Sequence, residues 1–265
     1  ITAQLEHPNI VPIYEIGVNK EGNIFYTMQH VKGDSLQKII EKTENQAEFP
    51  LSRFLQILVD VSNAVAFAHS KKVIHRDLKP DNIMLGEYGE VILMDFGLAK
   101  ILTNDDPEDV EELIEAVTST RTEFNEMLTL EGDIAGTPKY MAPEQANGDI
   151  KGQDEQTDIY ALGAILFACI AKKAPIPGIG VHEVLQNVIE GRKFPLPDST
   201  APELVAIINK AMAVDKINRY KTVKDFSNDL KLYLQGYSIS AKEDNFKEQC
   251  VKLIKRNKQA FLISS

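Results

Sequence analysis

The chain has 265 residues, of which 43% are apolar and 26% charged. That is the balance of a soluble globular fold, and it excludes a disordered or collagen-like chain. Two cysteines, Cys169 and Cys250, exclude a disulfide framework and a four-cysteine zinc site. The net charge of −10 sits in one place: residues 101–134 hold eleven acids and one arginine, while the rest of the chain is balanced. A nucleic-acid-binding surface is therefore not expected.

Taken in chain order, Ile10–Val18 and Asn23–Gln29 are apolar, β-branched or aromatic runs separated by Asn19-Lys20-Glu21-Gly22. They predict a β-hairpin. Lys32-Gly33-Asp34-Ser35 predicts a turn, followed by a short helix from Leu36. Leu51–Ser70 carries apolar residues at helical spacing. Val73-Ile74, Ile83-Met84-Leu85 and Val91–Met94 predict short buried strands. Asp158–Ala171 is apolar nearly all round, as a helix inside a core is. Val181–Glu190, Glu203–Ala213 and Asp225–Leu234 predict amphipathic helices. The order is a short β region followed by mostly helix, an α+β chain.

The residues that carry chemistry lie between these elements. His75-Arg76-Asp77-Leu78-Lys79-Pro80-Asp81-Asn82 is followed by Asp95-Phe96-Gly97 and then Ala142-Pro143-Glu144. In this order the three motifs resemble those of serine/threonine protein kinases. The resemblance implies a protein-kinase-like fold: a mainly helical C-lobe with a two-strand remnant of the N-lobe. It implies N-lobe remnant and hinge at 1–31, C-lobe at 32–236 with an acidic insert in the activation segment at 101–134, and a basic tail at 237–265.

Phosphoryl transfer requires an aligned acceptor hydroxyl and neutralised phosphate charge. By the resemblance, Asp77 orients or deprotonates the hydroxyl, Lys79 neutralises the transferring phosphate, and Asn82 and Asp95 supply the hard oxygens that Mg²⁺ prefers. Thr137 is expected to bond to Asp77 and Lys79 and to line the acceptor site. Met28 stands as gatekeeper, the Gln29 carbonyl and Val31 amide face adenine, Met84 forms the apolar floor, and Asp34 or Ser35 faces the ribose. His75 is expected to pack near Phe96, Glu144 to pair with Arg219, and Asp158 to hold the backbone at His75 and Arg76. The implied cofactors are ATP and Mg²⁺ and the implied partners are protein substrates.

The family's G-x-G-x-x-G loop and V-A-I-K lysine do not occur in these residues. Aligning Leu5–Val11 with the junction after the family's regulatory helix places the paired glutamate before Ile1. These 265 residues alone are therefore expected to be weak or inactive, and a pseudokinase-like scaffold is the alternative reading. Within the insert, Asp106-Pro107 opens a helical stripe, Thr118, Ser119, Thr120, Thr122 and Thr129 are candidate phosphosites, and Asp133 is a candidate carboxylate partner for Arg76. Residues 237–265 hold six Lys/Arg and three acids. They resemble the juxtamembrane segment of bacterial receptor-type kinases, which implies a cytoplasmic-side domain and an anchor beyond residue 265; a surface helix with a frayed end is the other reading.

Overall fold

A computed structural model of the chain describes residues 5–18, 24–43, 49–96, 100–101 and 137–256. The acidic insert beyond residue 101, its helical stripe, the candidate phosphosites, Asp133 and residues 257–265 lie outside them.

Strands β1 (Ile13–Val18) and β2 (Ile24–Met28) form the expected antiparallel hairpin, with Ile13 opposite Met28 and Val18 opposite Ile24. The segment before β1 is pinned to the larger part of the molecule by two backbone bonds and one from the Asn9 side chain. Leu93 N–H donates to Asn9 O (2.8 Å), Val11 N–H donates to Leu93 O (3.0 Å), and the Asn9 amide donates to Val91 O (2.8 Å).

β3 (Gly33–Ser35), β5 (Ile83–Gly86) and β6 (Val91–Leu93) make a three-stranded antiparallel sheet in the order β3-β5-β6. Gly33–Ser35 was predicted as a turn and is a strand. Its pairing with Met84, Leu85 and Gly86 is long-range and leaves no local pattern. Gly33 is needed at its start: its φ is +149° and a Cβ would overlap the Leu85 carbonyl. The two-residue strands β4 (Val73–Ile74) and β7 (Lys100–Ile101) pair antiparallel.

The helical body is built on α2 (Leu51–Ser70) and α4 (Glu155–Ala171). Between them in sequence lies the short α3 (Pro143–Ala146), and α1 (Leu36–Lys42) precedes α2. α5 (Val181–Ile189), α6 (Pro202–Ala211), α7 (Val223–Leu234) and α8 (Phe246–Arg256) follow. α4 is buried from Thr157 to Cys169, which is why its sequence shows no polar face. It starts at Asp154, whose side chain accepts from Gln156 N–H (2.8 Å). α2 packs against α4 and α7. Among the described residues α2 alone is long and apolar enough to cross a membrane; here Phe54, Leu58, Val61 and Val65 of that helix are core residues.

α4 and α6 meet closely at Gly163, where a Cβ would stand 2.6 Å from Ala211 Cβ. Cys169 is buried near the end of α4, and burial pushes its thiol up to about 12. It is a core residue and not a nucleophile.

Residues 237–241 leave α7 and fold back on it. Ile239 is buried, and Asp229 of α7, fully buried, gathers the returning chain. Its carboxylate accepts from Ser240 N–H (2.7 Å), Ser240 Oγ (2.9 Å), Ala241 N–H (2.9 Å) and Tyr220 OH (2.8 Å). α8 is then tied to α6 by Lys252, which reaches Glu203 (2.9 Å) and Asp244 (2.7 Å).

Candidate active site

The site is a loop held from below by a buried carboxylate. Asp158, in the first turn of α4, is 1% exposed. Its Oδ2 accepts from His75 N–H (2.9 Å) and its Oδ1 from Arg76 N–H (2.9 Å). His69 Nε2 lies 2.8 Å from Oδ2. Burial alone would raise the Asp158 carboxyl, but His69 and the backbone amides more than offset it and hold it below the usual carboxylate range. The expectation that Asp158 holds the backbone at His75 and Arg76 agrees with this geometry. Arg76 takes φ +71°, in the left-handed region that non-glycine residues rarely occupy.

His75 is buried and its ring lies 4.6 Å from that of Phe96, tilted by 51°. Its two ring nitrogens fix one tautomer. Nδ1 accepts from Asp77 N–H (3.3 Å), so Nε2 carries the proton and donates to Met94 O (3.1 Å). The histidine thus couples the loop bearing Asp77 to the strand end that bears Asp95. A second tie runs beside it, from Met94 N–H to Asn82 O (2.8 Å).

Three of the expected residues come together on this loop. Lys79 Nζ stands 3.0 Å from Asp77 Oδ2, both side chains being largely screened from solvent. Asn82 closes the 3-10 turn Pro80–Asn82, and its Nδ2 donates to Asp77 O (2.9 Å) and Oδ2 (3.3 Å). With the nitrogen end of that amide committed to Asp77, its oxygen is the end available as a hard donor. Asp95 follows β6, is solvent-exposed and takes φ +59°. Among the described residues no group of three or more His, Cys, Asp or Glu side chains gathers to hold a metal. The side-chain oxygens of Asn82 and Asp95 are hard donors of the kind taken by a cation that shares its remaining positions with phosphate and water, as Mg²⁺ does.

Thr137 opens the 3-10 turn Thr137–Tyr140; its side chain, and with it the expected bonds to Asp77 and Lys79, lies outside the description. Met28 ends β2 at 38% exposed, and Gln29 and Val31 follow outside any strand or helix. Gln29 N–H donates to Pro12 O (3.1 Å). Met84 is the middle residue of the three-stranded sheet, opposite Ser35 on one side and Ile92 on the other. Ser35 Oγ caps α1 at Lys38 N–H (3.3 Å), and Asp34 pairs with Lys42 (3.0 Å). A cavity of about 370 Å³ reaches the hinge at Gln29, with Leu5, His7, Pro8, Ile10, Ile13 and Ile92 among its lining residues. None of Asp77, Lys79, Asn82 or Asp95 lines it.

The Glu144–Arg219 pair is formed and bidentate, 2.8 Å on each arm. Thr157 Oγ1 donates to the same carboxylate (2.8 Å), and Arg219 also donates to Ala213 O (2.7 Å) and Gln156 O (3.0 Å). Against the cost of burial, Arg219 lowers the Glu144 carboxyl below its ordinary range.

Two residues outside the sequence reading also reach this region. His69 sits in the last turn of α2, on its apolar face, and nothing in its spacing distinguishes it from a packed core histidine. Gln145 follows Glu144 and its Nε2 donates to Arg76 O (2.8 Å). Neither forms a local pattern, since both act across more than 65 residues of chain.

The protein kinase domain model matches residues 1–229. Among curated proteins, the chain is 37% identical over 253 residues to a serine/threonine-protein kinase PknD of Protochlamydia amoebophila, covering 90% of this chain and 25% of that protein. It is 36% identical to the protein of the same name in Chlamydia muridarum, covering 90% and 26%. For the one in Chlamydia pneumoniae the figures are 31% identity, 89% and 26%. The chain therefore spans about a quarter of the length of these relatives. With the match to the family model running through the core helices α2 and α4, the loop at Asp77 and the ion pair at Glu144, this chain belongs to the protein kinase family.

Proposed function

We propose that the protein transfers the γ-phosphoryl group of ATP to serine or threonine hydroxyls of other proteins. The single observation that carries this is the cluster on one rigid loop: Asp77 with Lys79 at 3.0 Å and Asn82 at 3.3 Å, on a backbone clamped by Asp158. Positioning and electrostatic stabilisation supply most of phosphoryl-transfer catalysis, and this arrangement supplies both.

In this reading Asp77 accepts the hydrogen bond of the incoming hydroxyl and takes its proton as the oxygen attacks the γ-phosphorus, the bond to the β–γ bridging oxygen breaks and ADP leaves. Lys79 leaves Asp77 to sit against the γ-phosphate, where its charge offsets that developing on the phosphoryl oxygens. Thr137 borders the acceptor. Gln29 and Val31 bind adenine through their backbones, with Met28 and Met84 packing around the base. Asn82 and Asp95 would hold Mg²⁺, which when bound neutralises phosphate charge. The basic character of 237–265 supports a kinase domain that works at the cytoplasmic face of a membrane.

The test uses the native gene product carrying these residues, with casein and radiolabelled ATP plus Mg²⁺. Label on serine or threonine that disappears in Asp77→Asn, with the melting temperature kept, is the expected result. Equal labelling by Asp77→Asn, or none by the wild type, overturns the reading. The 265 residues alone are expected to label casein weakly or not at all, because no glycine-rich phosphate loop is among them.

A further inference from the structure

We infer that Gln145 is a positioning residue for phosphoryl transfer, fixing the peptide that joins Arg76 to Asp77 to the segment that opens α3. The inference rests on the kinase reading above. Arg76 at φ +71° costs about 1–2 kcal/mol relative to ordinary backbone and persists only where its surroundings over-determine it. It is held from both sides. Its N–H donates to Asp158 Oδ1 at 2.9 Å, and its carbonyl accepts from Gln145 Nε2 at 2.8 Å. The second bond orients the peptide plane that leads directly into Asp77.

The other end of the same amide is also used: Gln145 Oε1 accepts from Ala142 N–H (3.1 Å). Gln145 is 7% exposed, so neither bond has water as a ready substitute. The position therefore demands a donor at one end and an acceptor at the other, which only an uncharged amide of this length supplies. Glutamate would place oxygen lone pairs against the Arg76 carbonyl. Methionine would fill the space and make neither bond. The neighbouring Glu144 is locked to Arg219, so α3 is a fixed reference, and Gln145 transmits that reference to the catalytic loop. A displacement of about 1 Å in such a loop lowers turnover by about 10²-fold.

The test compares wild type, Gln145→Glu and Gln145→Met in the native gene product. In both variants kcat for casein is expected to fall by about 10- to 100-fold, with KM for ATP within about twofold. Backbone hydrogen exchange at Arg76 and Asp77 is expected to quicken by about 10-fold, with exchange in α4 unchanged. A folded variant with kcat within about twofold of wild type overturns the inference. So does a loss of kcat accompanied by faster exchange throughout α4, which marks a merely structural role. Should Gln145→Met not fold, Gln145→Glu keeps the size and the Ala142 bond and decides alone. If the wild type transfers no phosphate, the kinase reading fails, and unchanged exchange at Arg76 and Asp77 in the variants would separately overturn the clamp.

Discussion

Asp158 and Asp229 are buried carboxylates on two core helices, and each captures a segment distant in sequence by its backbone amides. Asp158 holds the loop at His75 and Arg76; Asp229 holds the returning chain at Ser240 and Ala241. The difference lies in what is held. Arg76 is in left-handed backbone, and Asp158 is assisted by His69 on one side while Gln145 closes the other. The segment at Asp229 has no positive φ between Tyr237 and Asn245, and the remaining partners of that carboxylate are hydroxyls, from Tyr220 and Ser240. One anchor forces an uncommon conformation next to the chemistry. The other docks an ordinary one away from it. The same device thus serves positioning in one place and attachment in the other.

The largest effect is expected from Asp158→Asn. It withdraws a charged acceptor from two amides and His69, costing about 3–5 kcal/mol, which lowers the melting temperature by about 10 °C. Phosphoryl transfer should fall by at least about 10²-fold, because Arg76 relaxes out of its held conformation. Thermal unfolding and steady-state kinetics on the native gene product check both.

Asp229→Asn should cost about 2–3 kcal/mol and expose residues 237–245 to hydrogen exchange. Exchange at 73–82 and the transfer rate should stay within about twofold of wild type. A loss of transfer matching that of Asp158→Asn would show that the two anchored segments form one cooperative unit, and the contrast would fail.

Acid bears on two carboxylates beside the loop. Asp158 and Glu144 both have carboxyls lowered in the folded protein. Their contribution is therefore complete above the ordinary carboxylate range of about 4 and is lost as pH falls through the lowered folded values. Glu144→Gln should flatten that part of the stability curve, read as melting temperature between about pH 6 and pH 3. A curve of unchanged steepness would argue against the pair as a source of acid lability.

The smallest effect belongs to Ser240→Ala. It removes one hydroxyl from Asp229 while leaving both amides in place, a change of about 1 kcal/mol seen as a slight rise in exchange around Ala241.

The sequence was informative wherever the governing interaction was local or periodic. Leu51–Ser70 and Asp158–Ala171 were legible as helices because a buried face or a wholly buried cylinder imprints itself on composition. His75, Asp77, Lys79 and Asn82 lie within eight positions, so their joint chemistry survives in one short string. Glu144 with Arg219 could be paired only through the family resemblance, and the structure forms that pair. What escaped was long-range and unpatterned. β3 exists because Met84 and Leu85 offer it an edge, and His69 matters because α4 brings Asp158 beneath it. Asp229 reads as an ordinary polar position of an amphipathic helix until the chain from Tyr237 to Ala241 folds back onto it. In each case the partner groups lie eleven or more residues away, and neither periodicity nor a short motif records the pairing.

The two cysteines turn this architecture into a pair of internal clocks. Cys169, buried in α4 with its thiol pushed up to about 12, cannot meet an alkylating reagent as thiolate unless the core itself opens. Cys250 lies in α8, partly exposed, on the element that Asp229 and Lys252 attach to the body. Timed alkylation followed by mass measurement would therefore read the opening of the core at Cys169 against the partly exposed thiol of Cys250 in one sample, without any introduced label. The ratio of the two rates measures how seldom the scaffold under the loop at Asp77 opens.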